Sequence, residues 1–234
     1  MNVPAFANCH SHAFHRALRG RTVGGADFWG WRDGMYSVAS ALDPDLYHRL
    51  VKAVYAEMRL AGYASVGEFH YLHSPDLAEA VVEAARAAGL RICLLSTLYE
   101  RAGFGDEPLH PAQRRFVLPL EVWQGRVADL ASRYRGDPRV VIGTAIHSVR
   151  AVAPAHLAAA AGTLPDAPLH VHVSEQPAEN RACLAATGRT PVQLLAEAGV
   201  WGSRTTAVHA THLTPADIAT LGASGSSVCF CPTT

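Results

Sequence analysis

Short apolar runs alternate with longer stretches rich in alanine and leucine along this chain of 234 residues. The runs are rich in Val, Leu and Ile and are bounded by polar residues, Gly or Pro, which is typical of strands buried on both faces. Seven strands are predicted in this way: Val3–Cys9, Ala64–Phe69, Leu90–Leu98, Val140–Ala145, Leu169–Val173, Thr205–His209 and Ser227–Cys231.

The stretches between these runs predict helices. Several begin at Pro or behind an Asp, Ser or Thr cap and end near Gly, as helix ends commonly do. The predicted helices are Pro44–Ala61, Pro75–Ala88, Pro119–Tyr134, Pro154–Ala161, Pro177–Ala186, Thr190–Ala198 and Thr214–Gly222. Repeated β–α units imply a parallel sheet, and seven of them favour an α/β fold of the TIM-like (β/α)8 barrel class over an open sheet.

Two stretches, Arg16–Arg32 and Glu100–Leu118, fit neither a helix nor a strand pattern. Both are predicted to be loops. Long loops that follow the strands of such a barrel usually build its active site.

The number of strands sets an expectation for the domain. A closed barrel of this class needs eight strands, and the seventh predicted strand runs into the last residues of the chain. Residues 1–234 are therefore expected to form one truncated (β/α) barrel domain, incomplete at the C-terminus and also at the N-terminus. Unpaired edge strands promote aggregation, so the chain as written is expected to be insoluble or inactive, whereas an extended version is expected to be active.

Composition excludes some classes of partner. The chain has 20 basic and 20 acidic residues, so it has no net charge to attract nucleic acid or an anionic membrane. No apolar run is long enough to span a bilayer, and no signal peptide is visible. We expect a cytoplasmic protein with a small-molecule substrate. The five cysteines are scattered and odd in number, which favours buried free thiols, and the Cys229/Cys231 pair is interpreted as core rather than metal-binding.

The strongest chemical signal is His10-Ser11-His12, at the end of the first predicted strand. Side chains alternate along a strand, so the two imidazoles point to the same side. Neutral imidazole is a common ligand for zinc and similar divalent ions. The alternative is a pair of surface histidines near a chain end.

Further polar side chains follow other predicted strands. The carboxyl ends of parallel strands meet on one face of a barrel, where the site forms. The pairs at these ends are His10 and His12, His70 and Tyr71, His147 and Arg150, His172 and Glu175, and His209 and His212. This clustering favours a metal site over scattered surface histidines.

The segment His170–Glu175 contains an H-x-x-E pattern. His172 can bind a metal ion while Glu175, beside it, moves protons without acting as a ligand. His170 shares the strand face of His172 and is the competing ligand, although it could also be a buried layer residue. His209 closes an apolar strand and is favoured for the site, whereas His212 is interpreted as a surface or capping residue.

Five blocks of this sequence together resemble one known family. They are Ala7–Ala17, Phe28–Tyr36, Glu68–His73, His147–Val152 and Val208–His212. With the H-x-x-E segment, they identify the chain as similar to the amidohydrolase superfamily of metal-dependent barrel hydrolases, and within it to the formimidoylglutamate deiminases of histidine degradation.

This resemblance implies a role for each matching residue. It implies one divalent ion, usually zinc, held by His10, His12 and His172, with a fourth ligand from an aspartate after an eighth strand. Glu175 would move protons, and His209 would orient the water or the substrate nitrogen. The glutamate part of the substrate would be bound by Arg32, Tyr71, His147 and Arg150, and also by His15, which stands where the family commonly has Gln.

The resemblance also implies parts that these 234 residues lack, namely the eighth strand and a small β-sandwich domain, and a homodimer for the full-length protein. The implied reaction converts N-formimidoyl-L-glutamate to N-formyl-L-glutamate and ammonia. Arginine pairs bidentately with carboxylates, which suits a dicarboxylate substrate. Two alternatives stay open: another deaminase of the superfamily, acting on guanine, cytosine or an adenosine derivative, and a catalytically inactive metal-binding fragment.

Overall fold

The computed structural model describes residues 4–21, 28–105 and 107–232, with only the backbone at Phe28 and Trp29. Seven strands form one sheet whose order follows the chain, β1 to β7. Their bounds are β1 (Phe6–Ser11), β2 (Tyr63–His70), β3 (Arg91–Leu98), β4 (Val140–Ile146), β5 (Leu169–Val173), β6 (Thr205–His209) and β7 (Ser227–Cys229). Each predicted strand is present within a few residues of its predicted bounds; Val3, the predicted start of the first strand, lies outside the described residues.

Within the described parts of the chain, eight α-helices lie between the strands. They are α1 (Phe28–Ala41), α2 (Pro44–Leu60), α3 (Pro75–Ala88), α4 (Leu120–Arg133), α5 (Leu157–Gly162), α6 (Pro177–Thr187), α7 (Pro191–Glu197) and α8 (Pro215–Ser224). Short 3-10 helices cover Ala13–Leu18, Pro111–Arg115 and Pro154–His156. The caps follow the sequence signals: Thr190 and Thr214 each form a capping box at the start of α7 and α8.

The prediction that Arg16–Arg32 lacks regular structure is wrong at both ends. Ala13–Leu18 is a 3-10 helix, and α1 begins at Phe28. Residues 22–27 of the stretch lie outside the residues that the structure describes. The sequence of α1 hides the helix because two glycines and several aromatic residues lower its propensity and no acidic residue marks its first turn. Within the described part of Glu100–Leu118, the 3-10 turn at Pro111–Arg115 is the regular element.

Neighbouring strands run parallel where their register is defined. β5 and β6 pair without interruption from Leu169 opposite Thr205 to Val173 opposite His209. In contrast, the pairing of β1 with β2 shifts register between Asn8 and Ser11. This irregularity lies where His10 stands, at the carboxyl end of β1.

The chain divides into two compact units. One comprises Met1–Leu94, His110–Phe116 and Gly136–Val141, and the other comprises Leu95–Leu109, Val117–Arg135 and Ile142–Thr234. The expected assignment of residues 1–234 to a single domain stays a prediction.

Each unit has buried aromatic residues of its own. Tyr47, Tyr55 and Phe14 are fully buried in the first unit. In the second unit, Trp123 of α4 is fully buried within a cluster of Val, Leu and Ile side chains from the strands and helices. Alternating strands and amphipathic helices thus bury apolar faces, as an α/β fold requires.

The cysteines are all free, as predicted, and all five lie in the described residues. The prediction that these thiols are buried is wrong for all but Cys183: Cys9 is exposed, and Cys93, Cys229 and Cys231 are half-buried. The interpretation of the Cys229/Cys231 run as core is therefore wrong, because Val228, just before Cys229, and Phe230, between the two cysteines, are both exposed. Among the described residues, no helix combines the length and apolar character needed to cross a membrane.

Candidate metal centre and catalytic residues

His10 and His12 face each other at the end of β1. Their Nε2 atoms lie 3.1 Å apart, and the two rings meet edge to face at 4.7 Å between centroids. Two nitrogens bound to one tetrahedral zinc ion at about 2.0–2.1 Å would be about 3.3 Å apart. The spacing of the two imidazoles therefore fits a shared metal ion.

The other nitrogen of His12 fixes which ring nitrogen is available for a metal. Nδ1 lies 3.1 Å from the backbone carbonyl oxygen of Phe69, which can only accept a hydrogen bond, so Nδ1 carries the proton. The lone pair is then on Nε2, the atom that faces His10. The backbone N–H of His10 donates to Asn8 Oδ1 at 3.1 Å, which holds the strand where its register shifts.

β2 comes unusually close to β1 at this point. A Cβ atom on Gly67 would lie 2.7 Å from the carbonyl oxygen of Cys9, closer than real Cβ atoms approach, so only glycine fits there. The next residue, Glu68, is completely buried, and its carboxylate accepts from the backbone N–H of Ala13 at 2.8 Å and from the Tyr55 hydroxyl at 3.1 Å. Burial raises the pKa of Glu68 to about 7, against the opposing effect of these hydrogen bonds.

His15 and Tyr71 stand beside His12. The His15 ring stacks on that of His12 at 4.6 Å between centroids, and its Nε2 lies 2.8 Å from the Tyr71 hydroxyl oxygen. Trp31 of α1 meets the His15 ring edge to face at 5.1 Å. The half-buried Arg32, also on α1, has its guanidinium carbon 5.6 Å from the centre of the Tyr36 ring. The first unit thus brings His15 and Tyr71 directly to the two histidines of β1.

His172 lies at the end of β5 in the second unit, between two other histidine rings. The ring of His147 is 5.2 Å away on one side, and that of His209 is 5.2 Å away on the other. His170, the competing ligand on the same strand, is buried, and burial lowers its pKa to about 4.

Glu175 and His209 face each other in the same unit. Glu175 Oε1 lies 3.6 Å from His209 Nε2, and the side chain of Glu175 keeps 24% exposure whereas that of His209 keeps 7%. A half-exposed carboxylate beside a buried imidazole is suited to proton transfer to and from a substrate.

The backbone at these strand ends is strained. His209 has a φ of 70°, and Ser174 and Ala210 also have positive φ values, of 52° and 50°. Such conformations cost roughly 1–3 kcal/mol each for residues other than glycine, and they persist where the surrounding structure holds them. Ala210 donates its N–H to the Val173 carbonyl, which ties the end of β6 to the end of β5.

Glu179 is a buried acid that the sequence did not single out. It lies in the first turn of α6, and its Oε2 accepts from the backbone N–H of Glu175 at 3.1 Å. Burial raises its pKa to about 7, and the positive charge of Arg150 opposes this shift. An acidic residue in the first turn of a helix is common for electrostatic reasons alone, so its sequence position carried no functional signal.

The other residues that the sequence singled out are His147, Arg150 and His212. His147 meets the Tyr99 ring edge to face at 4.7 Å and is half-buried, as is Arg150. His212 is exposed, in agreement with its interpretation as a surface residue.

Comparison with known proteins gives the family. The sequence profile described as Amidohydrolase family matches residues 1–234. The chain is 37% identical to formimidoylglutamate deiminase of Pseudomonas aeruginosa, over 99% of this chain and 54% of that protein. It is 30% identical to 8-oxoguanine deaminase of the same organism, over 98% of this chain and 53% of that protein.

A solved structure gives the same result for the fold. An amidohydrolase from Brucella melitensis superimposes with a TM-score of 0.93 at 33% identity, over 99% of this chain and 55% of that one. The chain spans about half the length of the curated relatives it matches. Since the profile matches the whole sequence and the parallel strands match a solved amidohydrolase, this chain belongs to the amidohydrolase family and has its α/β barrel class of fold.

Proposed function

We propose that this chain carries the metal site of a C–N hydrolase that converts N-formimidoyl-L-glutamate to N-formyl-L-glutamate and ammonia. The observation on which the proposal depends is the facing pair of His10 and His12, with Nε2 atoms 3.1 Å apart. The choice of substrate is supported by the 37% identity to a formimidoylglutamate deiminase.

His10, His12 and His172 are proposed as the protein ligands of one divalent ion. Imidazole nitrogens favour zinc, although iron and manganese are accepted by similar sites. A divalent ion held there would lower the pKa of a bound water molecule to about 7 and would supply hydroxide at neutral pH. The facing pair of His10 and His12, and the position of His172 near the carboxyl end of β5, support the proposal.

Glu175 and His209 are proposed as the groups that move protons. Glu175 takes a proton from the attacking water and delivers it to the departing nitrogen, so that ammonia rather than an amide anion leaves. His209, whose Nε2 is 3.6 Å from Glu175 Oε1, orients the same water or the substrate nitrogen. The strained backbone at His209 favours a functional role for its orientation.

Five other residues are proposed to bind the glutamate part of the substrate. Guanidinium groups and hydroxyls suit two carboxylates, and buried aromatic rings beside them exclude water. The hydrogen bond of His15 to Tyr71 supports their action as one unit. The proposed substrate contacts are Arg32, Tyr71, His147, Arg150 and His15.

A second candidate function is a heterocycle deaminase. The 30% identity to an 8-oxoguanine deaminase favours it, and the proposed ligands alone fit either reaction. The substrates differ in charge: formimidoylglutamate carries two carboxylates, whereas 8-oxoguanine carries none. The half-buried arginines Arg32 and Arg150 favour the dicarboxylate.

Ammonia release separates these candidates. The purified chain, and a version extended through the eighth strand that the family resemblance implies, are loaded with Zn²⁺ and incubated with formimidoylglutamate, 8-oxoguanine or guanine, with Glu175→Gln as the inactive control. Ammonia from formimidoylglutamate alone supports the proposal, and ammonia from a purine alone would replace it with the second candidate. A chain that binds zinc but releases ammonia from none of the three substrates would favour the metal-binding fragment. The cytoplasmic homodimer expected for the whole protein stays a prediction.

A further inference from the structure

Glu68 holds the backbone on both sides of His12. Its carboxylate accepts from the backbone N–H of Ala13, at 2.8 Å, and from the side chain of Ser11. Ser11 and Ala13 are the two neighbours of His12 in the chain. A third donor, the Tyr55 hydroxyl, approaches from α2 at 3.1 Å.

The residue after Glu68 holds the side chain of His12. The Phe69 carbonyl accepts from His12 Nδ1 at 3.1 Å, and the Phe69 ring meets the His12 ring edge to face at 5.2 Å. Two consecutive residues at the end of β2 therefore fix both the backbone and the ring of His12. This is an arrangement that second-layer residues provide at metal sites.

We propose that Glu68 is a positioning residue for the metal site, which directs His12 Nε2 towards His10 by fixing the chain on either side of it. The strands alone do not provide this, because the register of β1 shifts between Asn8 and Ser11. The proposal rests on the proposed metal site. It adds a residue outside the ligand set, with a role that is distinct from general stability.

A charged or polar group with no exposed surface needs a reason to be buried, because burial of a carboxyl without partners is costly. Glu68 has no exposed surface and uses both of its oxygens: Oε1 meets Ala13, and Oε2 meets Tyr55. A leucine at this position would pack in the core but would leave the Ala13 N–H without its acceptor. The chain end of β1 would then be free to move relative to β2, and the distance between the two imidazoles would no longer be fixed.

Metal binding, measured apart from turnover, tests this role. The 234-residue chain and its variants are titrated with Co²⁺ and with Zn²⁺ against a competing chelator, and the visible absorption of bound Co²⁺ reports the geometry of its ligands. Glu68→Ala removes the acceptor, and Glu68→Gln keeps an acceptor of the same shape. Tyr55→Phe is the matched control, because it removes a donor from the same carboxyl but leaves Ser11 and Ala13 held.

Loss of a second-layer partner typically costs 10–100-fold in metal affinity, so Glu68→Ala is expected to weaken binding at least tenfold and to change the Co²⁺ spectrum. Glu68→Gln is expected to stay within threefold of the unmodified chain, and Tyr55→Phe to lose stability without losing affinity. If Glu68→Ala does not fold, Ser11→Ala tests the proposal instead. It removes one of the two hydrogen bonds by which Glu68 fixes the chain beside His12, with little change in volume, and metal binding at least threefold weaker is expected.

Two results would overturn the inference, and they differ. If the unmodified chain binds Co²⁺ and the folded Glu68→Ala and Ser11→Ala variants bind it equally well, with the same spectrum, only the role of Glu68 is refuted. If the unmodified chain binds neither ion, the proposed metal site itself is refuted.

Discussion

The carboxylate of Glu175 lies 3.6 Å from the Nε2 atom of His209, across the ends of two adjacent parallel strands. The pair is separated by 34 positions in the sequence, and the uninterrupted register of β5 and β6 brings it together. A carboxylate and an imidazole so arranged can pass a proton between water and a leaving group.

The first prediction concerns Glu175. In Glu175→Gln the side chain keeps its size but can no longer exchange protons, so kcat of the extended version with formimidoylglutamate is expected to fall by roughly 10²–10⁴. Zinc affinity is expected to stay unchanged, because Glu175 is not a proposed ligand. Steady-state ammonia release and metal titration measure the two quantities. Glu121→Gln, an exposed acid on α4, is the control and should leave both unchanged; a Glu175→Gln variant with normal kcat would remove Glu175 from the mechanism.

The second prediction concerns the histidine pair of β1. His10→Ala and His12→Ala each remove one of two facing nitrogens, and zinc affinity is expected to fall by at least 100-fold in either variant, since each loses a direct metal–nitrogen bond. His212→Ala removes an exposed histidine and should bind zinc as the unmodified chain does. Chelator competition gives the affinities. Equal binding by His12→Ala and His212→Ala would show that the metal is bound elsewhere.

The third prediction concerns Tyr71. Tyr71→Phe removes the hydroxyl that bonds to His15 at 2.8 Å and is proposed to contact a substrate carboxylate. A hydrogen bond to a charged group is worth roughly 1.5–3 kcal/mol, so KM of the extended version for formimidoylglutamate is expected to rise about tenfold or more. kcat should change little, because the hydroxyl is proposed to bind and not to move protons. A fall in kcat at unchanged KM would assign Tyr71 to the chemical step instead.

The fourth prediction concerns the pH dependence of stability. Burial raises the pKa of Glu179 to about 7 from an ordinary value of 4.5, so the unfolded chain loses its proton at lower pH than the folded chain. This group's contribution to stability is therefore largest in acid, falls as pH rises from about 4.5 to about 7, and is constant above that.

Glu179→Gln does not titrate and keeps an acceptor for the Glu175 N–H. Relative to this variant, the unmodified chain is expected to lose about 2 kcal/mol of unfolding free energy between pH 5 and pH 8. Urea unfolding at the two pH values measures the difference. Glu83→Gln, at an exposed acid paired with Arg86, is the control. If the stabilities of Glu179→Gln and the unmodified chain change with pH in parallel, Glu179 titrates normally.

The sequence predicts most of the elements because their signals are local. The strands are runs of apolar residues, and helices such as α7 and α8 carry caps and Pro at their starts. α1 escapes detection for the same reason: its glycines and aromatic residues match no helix template, and it is a helix in spite of its low propensity.

The sequence predicts only part of the candidate site. His10, His12, His172 and Glu175 belong to short motifs whose spacing has chemical meaning. Glu68 and Glu179 belong to no such motif, and their burial arises from contacts between elements distant in the chain: Glu68 lies 55 positions from Ala13. Long-range contacts of this kind set burial and pKa, and periodicity does not report them.

The acceptor that selects the protonated nitrogen of His12 is a main-chain oxygen, at Phe69. Every amino acid supplies that oxygen, so the tautomer of His12 does not depend on the identity of residue 69. The ring of Phe69, however, lies 5.2 Å from the rings of both His10 and His12. Substitution of this side chain can therefore change the space beside the two imidazoles, while the lone pair available to a cation stays on His12 Nε2.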